Sequence, residues 1–400
     1  MSVLTPETIQ SLARKHFALV QQTRHHLHAH PELSFEEVNT SAYIASVLKQ
    51  HGIAFQHGIV DTGIVALVHG KNPGKKTVAL RGDLDALPIE EKSTAAYASQ
   101  NKGVMHACGH DVHASCLLGA AIVLHELRDE FEGTVKFIFQ PGEEKLPGGA
   151  SLMIKAGVLE NPAPASIYAQ HVFPSLPAGK VGFRSGMYMA STDELYVKVK
   201  GKGGHAAMPA DYINPILVTA RILSELDRMF MRDKTFNSTV PTVLAFGRIE
   251  GYGATNVIPD EVNVQGTFRT FDETWRAEAH RHMISNAERI AAEMNATCVF
   301  DVQHGYPFLV NDETVTAAAR TAAENYLGKE NVVTLDMRMT AEDFAFFSQH
   351  LPACFYRLGT ASPDGRFTAG VHTSVFDINE AALETGTGLL AWIALDGLKA

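Results

Sequence analysis

Residues 77–85, Thr-Val-Ala-Leu-Arg-Gly-Asp-Leu-Asp, decide the fold. An apolar run this short, closed by a glycine and two acids, has the length of a buried strand rather than a helix. Runs of the same kind stand on either side of it: GIVALVHG (63–70), TVKFIFQ (134–140) and SIYAQHV (166–172). Residues 34–51 and 113–130 read as helices, and in the second Leu117, Leu118, Ala121, Leu124 and Leu127 return at helical spacing. This alternation predicts an α/β layer with a largely parallel sheet and helices on both faces.

The middle of the chain has a different texture. ELYVKVKGK (194–202) alternates with period two, as a half-exposed antiparallel strand does. A helix is expected from Asn214 to Met231, then TVLAFGRIEG, a strand at 262–270 and a helix from Glu273 to Asn295. A sheet covered on one face by two helices accounts for that order. Past residue 305 the α/β style returns, with a helix at 312–327, the strand CFYRLG (354–359) and a terminal helix. The expected organisation is a smaller domain, 187–305, inserted in a larger one made of 1–186 and 306–400.

Composition narrows the function classes. The chain has 400 residues, 46% hydrophobic and 20% charged, which is globular composition with room for two domains. A net charge of -10 and no basic stripe argue against nucleic acid as a partner. The first residues, MSVLTPETIQSLARKHF, read as a helix starting at Thr5 or Pro6 and hold no secretory apolar core. No apolar run is long enough for a membrane span. Cys108, Cys116, Cys298 and Cys354 are scattered and form no CxxC pair, which fits a reducing cytoplasm.

The chemistry gathers at strand ends, where open parallel sheets bind their ligands. The strand at 77–83 runs into Asp83-Leu84-Asp85, that at 134–140 into Pro141-Gly142-Glu143-Glu144, and the next into His171. Met105-His106-Ala107-Cys108-Gly109-His110-Asp111-Val112-His113 is the densest segment, just before a helix. Cys108 and His110 flank a glycine, so a loop there can turn a thiolate and an imidazole towards one ion, a donor pair suited to zinc and its neighbours. Adjacent Glu143 and Glu144 suit metal hydrolysis, in which one carboxylate holds the ion and its neighbour moves a proton. Other hydrolase and nucleotide signatures are missing. His125-Glu126 lacks the second histidine of HExxH, the lysine-rich 70–76 stretch has the wrong spacing for a P-loop, and GxSxG is absent.

Seven motifs then agree, in order, with a known family. LRGDLDALPIEE (80–91), MHACGHDVHAS (105–115), FQPGEE (139–144), GKGGHAAMP (201–209), TNVIPD (255–260), AEDFAFF (341–347) and VHTSVFDINE (371–380) resemble the M20 metallopeptidases. Within that family they are similar to the amidohydrolase branch of hippurate hydrolases and plant auxin-conjugate hydrolases, and RHHLHAHPELSFEE (24–37) matches the branch's N-terminal signature.

The resemblance implies a zinc-peptidase-like catalytic domain with a mixed, largely parallel sheet, and an inserted lid of four antiparallel strands and two helices that often makes a dimer contact. It implies two divalent ions per subunit, zinc, manganese, cobalt or nickel. By position the ligands are Cys108, His110, Glu144, His171 and His372, with Glu143 as general base and Asp85 orienting a ligand or that base. His205 matches a histidine that steadies the oxyanion, in dimeric relatives from the neighbouring subunit, and Asn256 and Arg269 match substrate-binding positions.

The implied reaction is hydrolysis of an N-acyl amino acid to a carboxylic acid and a free amino acid, by a cytoplasmic homodimer or tetramer. Two readings compete with it: a dipeptidase or carboxypeptidase on unacylated peptides, and a non-catalytic protein that binds a small ligand. A binding module has no need of Glu143 beside metal ligands. Two features depart from the wider pattern. Cys108 stands where most of the family has a carboxylate, which softens the site towards metals and opens it to oxidation. The lysine and leucine of EKLPGGA (144–150) replace a more glycine-rich spacing.

Overall fold

A computed structural model describes residues 4–233, 236, 240–362 and 364–399. The chain divides into two compact units. One comprises Met1–Tyr188, Val310–Asp336 and Asp343–Ala400; the other comprises Met189–Leu309 and Met337–Glu342. The second unit therefore takes up a short late segment that the sequence places with the α/β part.

The first unit is built on an eight-stranded mixed sheet. Its centre is parallel: Thr77–Asp83 lies between Thr134–Gln140 and Ser166–Pro177, and Ala353–Ala361 follows on the far side of the latter. Gly63–His69 and Ala54–Ile59 extend it antiparallel at one edge. The strands Thr77–Asp83 and Thr134–Gln140 are buried along their whole length, as strands covered on both faces are. Register fixes what their ends present. Asp83 pairs with Gln140 and Arg81 with Ala169, so the turns after all three strands open at one edge of the sheet.

Three helices pack together over this sheet: Pro6–Ala29, His110–Glu126 and Ala381–Lys399. Thr5 caps the first, accepting from the Thr8 amide, and Pro6 follows at a position where no amide hydrogen is needed. The middle helix is buried from His110 to Leu124, so over that stretch it has no solvent-facing side. Gly119 marks the closest approach: a Cβ there would stand 2.6 Å from Val20 Cγ2 and 2.8 Å from Thr387 Cγ2.

In the second unit four antiparallel strands run in the order Thr242–Glu250, Glu261–Thr270, Asp193–Lys200, Thr297–His304. Helices Pro215–Asp227 and Glu273–Glu293 pack on them around Leu195, Val197, Val199, Ile222 and Met283. The first helix stops at Asp227 and continues as a wider turn, Arg228–Arg232. Asp193, wholly buried, takes the Arg276 guanidinium (Nε–Oδ2 2.9 Å) and His280 Nε2 (2.7 Å), and its other oxygen accepts the Gly305 amide. Among the described residues no helix is long and apolar enough to cross a membrane.

Candidate metal centre

Gly109 makes the turn that the Cys108–His110 spacing demands. Its φ is 82°, and a Cβ there would lie 2.6 Å from Val172 Cγ2. Only glycine takes both the left-handed backbone and the close approach without strain. Helix His110–Glu126 begins directly after it, leaving Cys108 in the loop and His110 in the first turn.

Hydrogen bonds then select which ring atoms remain free. His110 Nδ1 lies 3.1 Å from Asp85 Oδ1, while its buried Nε2 has no hydrogen-bond partner. His171 Nδ1 faces the Val172 carbonyl at 2.9 Å, which leaves Nε2 as the lone-pair atom, 3.5 Å from Cys108 Sγ. A carboxylate or carbonyl on the far nitrogen is the usual means of aiming an imidazole at a metal. His113, three residues on, is used up: its Nε2 accepts the Val172 amide at 2.9 Å and its Nδ1 donates to Asp83 at 2.6 Å. It braces the strand ends and offers no lone pair.

His372 enters from the other end of the chain. Its amide donates to the Ala107 carbonyl, its φ is 63°, and its Nε2 stands 3.3 Å from Cys108 Sγ and 3.2 Å from Glu144 Oε1. A non-glycine residue held at positive φ inside such a cluster fits a functional constraint. The donor atoms of Cys108, His110 and His171 lie within 4.8 Å of one another, and so do those of Cys108, Glu144 and His372. Cys108 belongs to both groups. A third group, His110, Glu143 and Glu144, adjoins them.

The electrostatics call for cations. Burial pushes the Cys108 thiol well above its ordinary value, and Glu144, Glu143 and Asp83 push it the same way. Burial disfavours charge on His110, yet Asp83, Asp85 and Glu144 outweigh it and raise its pKa to about 10. Burial, Arg357 and His113 hold His171 well below the usual imidazole range, so it is neutral. Carboxylates around a buried thiol, with the buried His110 Nε2 lacking a hydrogen-bond partner, form a donor set that suits divalent ions. The residues present fit the two ions the resemblance implies.

Asp85 contacts several of the segments that carry these side chains. One oxygen takes His110, and the other takes the Ser34 hydroxyl at 2.6 Å and the Glu144 amide at 2.9 Å. Glu143 is 6% exposed and accepts the Asp343 amide at 3.3 Å. His205, Asn256 and Arg269 lie in the second unit. His205 and Asn256 are exposed side chains on neighbouring stretches, with the Ala206 amide donating to the Asn256 carbonyl. Arg269 is partly buried and donates to the Met339 carbonyl at 3.1 Å, with desolvation lowering its pKa and no carboxylate partner among the described residues.

Two supports escaped sequence reading. Arg81 reaches back from its strand to Asp343 (2.7 Å) and Gln140 (2.9 Å), and Asp343 also accepts the Ala150 amide. Arg24 and His28 engage Asp111 behind the metal loop. The motifs at 24–37 and 341–347 carried the signal for both, but a motif match alone gives a residue no partner.

Known proteins resemble this chain over most of its length. The model of Peptidase family M20/M25/M40 matches residues 79–396. An N-acetyl-L-cysteine deacetylase of Bacillus subtilis is 38% identical over 90% of this chain and 83% of its own length. Thermostable carboxypeptidase 2 of Saccharolobus solfataricus is 36% identical over 94% of each chain. A solved Bacillus subtilis structure, described as a dinuclear metal binding peptidase from the M20 family, superposes with a TM-score of 0.83 and 34% identity over 97% of this chain and 99% of that one. With the motif order, the donor cluster and the fold all in agreement, the chain belongs to peptidase family M20/M25/M40.

Proposed function

We propose that the protein hydrolyses the amide bond of N-acyl amino acids, releasing a carboxylic acid and a free amino acid. The observation that carries this reading is the pair of donor groups sharing Cys108, with Glu143 beside them. Cys108, His110, Glu144, His171 and His372 would hold two divalent ions. Bound there, the ions would polarise the amide carbonyl and lower the pKa of a water molecule to about 7.

Glu143 accepts the proton of the attacking water and delivers it to the amine nitrogen as the C–N bond breaks. Asp85 keeps His110 in the tautomer that leaves Nε2 free, and its contact with the Glu144 amide aligns the glutamate turn. Arg269, a partly buried guanidinium without a carboxylate partner among the described residues, is assigned to the substrate's carboxylate. Asn256 assists it, and His205 is assigned to the oxyanion. The four free cysteines support a reducing, cytoplasmic setting. A homodimer is part of the reading through the family resemblance, and sedimentation velocity checks it.

The deacetylase relative favours an acylated substrate, and the carboxypeptidase relative keeps unacylated peptides in the test. Purified protein is stripped with a chelator and resupplied with zinc, manganese, cobalt or nickel. It is then given a panel of acetyl, benzoyl and indole-acetyl amino acids beside free dipeptides. Metal-restored release from the acylated members, in excess of release from dipeptides, is expected. A clear preference for a free α-amino group overturns the acyl assignment, and no release with any metal overturns hydrolysis.

A further inference from the structure

The segment RHHLHAHPELSFEE (24–37) supplies none of the proposed ligands, yet it reaches the loops that carry Cys108, His110, Glu144 and His372. Arg24 is wholly buried and divides its guanidinium among three acids: Nε to Asp111 at 2.9 Å, Nη1 to Glu380 at 3.0 Å and Nη2 to Asp377 at 2.5 Å. Asp111 follows His110 directly, and Asp377 and Glu380 follow His372 in the same loop. One cation therefore ties together two ligand-bearing segments that are remote in sequence. His28 Nδ1 shares the same Asp111 oxygen at 2.8 Å, and its Nε2 faces Glu91 at 3.3 Å. Tyr97 donates to the second oxygen of Asp377 at 2.8 Å.

The other half of the segment reaches the remaining turns. The Ser34 hydroxyl donates to Asp85, the residue that orients His110 and receives the Glu144 amide. Glu37, wholly buried, accepts the Gly142 amide at 2.8 Å just before Glu143, and its second oxygen takes the Thr62 hydroxyl. The loops at 83–85, 105–113, 141–144 and 371–380 are thus all braced from one stretch of chain. A planar guanidinium with donors in three directions suits the Arg24 position, whereas an ammonium is a single point charge. Leaving the buried Asp111, Asp85 or Glu37 without its partner is costly.

We propose that Arg24, His28, Ser34 and Glu37 are positioning residues that set the spacing of the three ligand-bearing loops, 105–113, 141–144 and 371–380, and of Asp85 beside them, before an ion binds. The proposal rests on the metal-centre reading above. It adds to it a function for the N-terminal segment, which holds none of the proposed ligands. A merely structural network would stabilise the unit and leave the affinity of the folded protein for metal unchanged.

The test compares wild type with Arg24→Lys and Ser34→Ala, each stripped of metal and titrated with cobalt(II) against a chromophoric chelator. The cobalt d–d absorption and the melting of the metal-free proteins are followed alongside. Partners behind a ligand typically contribute 10–100-fold in metal affinity, so Arg24→Lys is expected to bind cobalt about 10–100-fold more weakly, with altered d–d bands. Ser34→Ala removes a single hydroxyl and keeps the charges, so it decides the question if Arg24→Lys does not fold; about tenfold weakening is expected. Folded variants with wild-type cobalt affinity and spectrum overturn the proposal, whatever their melting temperatures. Weakened binding in the variants upholds it even where wild type cleaves no acyl amino acid, a result that removes only the hydrolase reading.

Discussion

At the scale of single residues, neighbours with the same chemistry have been given different work by their contacts. Glu143 and Glu144 are adjacent, but the amide of Glu144 is tied to Asp85 while the carboxylate of Glu143 accepts the Asp343 amide. Glu143→Gln is expected to retain its metal, measured by atomic emission, while turnover falls roughly 10²–10⁴-fold or more. Turnover close to wild type would remove Glu143 as the base. His28 gives a residue-scale prediction in pH. Burial works against its charge, but Asp111 and Glu91 prevail and raise its pKa to about 9 from 6.5. A raised folded-state pKa stabilises fully below the unfolded value and is lost as pH climbs through the folded one. The unfolding free energy of the metal-free protein, read from denaturant midpoints, should therefore fall between pH 7 and pH 10 by an amount on the order of 3 kcal/mol, and His28→Gln should flatten that fall.

At the scale of elements, the decisive junction is the loop that becomes helix His110–Glu126. Gly109 must sit at φ 82° against Val172, so its neighbours Cys108 and His110 point as they do because no side chain intervenes. Gly109→Ala is expected to cost about 1–3 kcal/mol in strain and to lower metal occupancy below that of wild type. Unchanged melting and full occupancy would show the backbone to be less constrained than its geometry indicates. The helix itself illustrates the limit of periodic reading. Its leucines recur at helical spacing, but every residue from His110 to Leu124 is buried, because helices Pro6–Ala29 and Ala381–Lys399 also pack against it. A pattern within one segment cannot reveal that its apparently polar side is covered by helices from both ends of the chain.

At the scale of the whole molecule, the two units have separate cores and separate ionic anchors. All the proposed metal ligands belong to the first unit, whereas the Asp193–Arg276–His280 cluster belongs to the second. Calorimetry should therefore resolve two transitions, of which chelation lowers only one. Asp193→Asn should lower the other, since breaking a buried ion pair costs about 3–5 kcal/mol. Its acid dependence has the opposite sign to that of His28. Burial opposes ionisation of Asp193, but its hydrogen bonds to His280 and Arg276 bring its pKa down to about 2. That contribution is complete above the unfolded value of about 4 and disappears as pH falls through about 2. A single transition that both perturbations move together would contradict the separation.

The sequence by itself determined the strands at 77–83 and 134–140, the acids and imidazoles at their ends, and the motif order that names the family. These are local properties, written in apolar run length and in residue type. Only the tertiary structure decided which histidine of His110 and His113 keeps a free nitrogen, because the choice depends on Asp85, in the loop after one strand, and on the Val172 amide of another. Only the tertiary structure gave Arg24 its partners. Asp111, Asp377 and Glu380 lie 87, 353 and 356 residues along the chain from it, and a hydrogen bond over that separation exists only once the chain has folded.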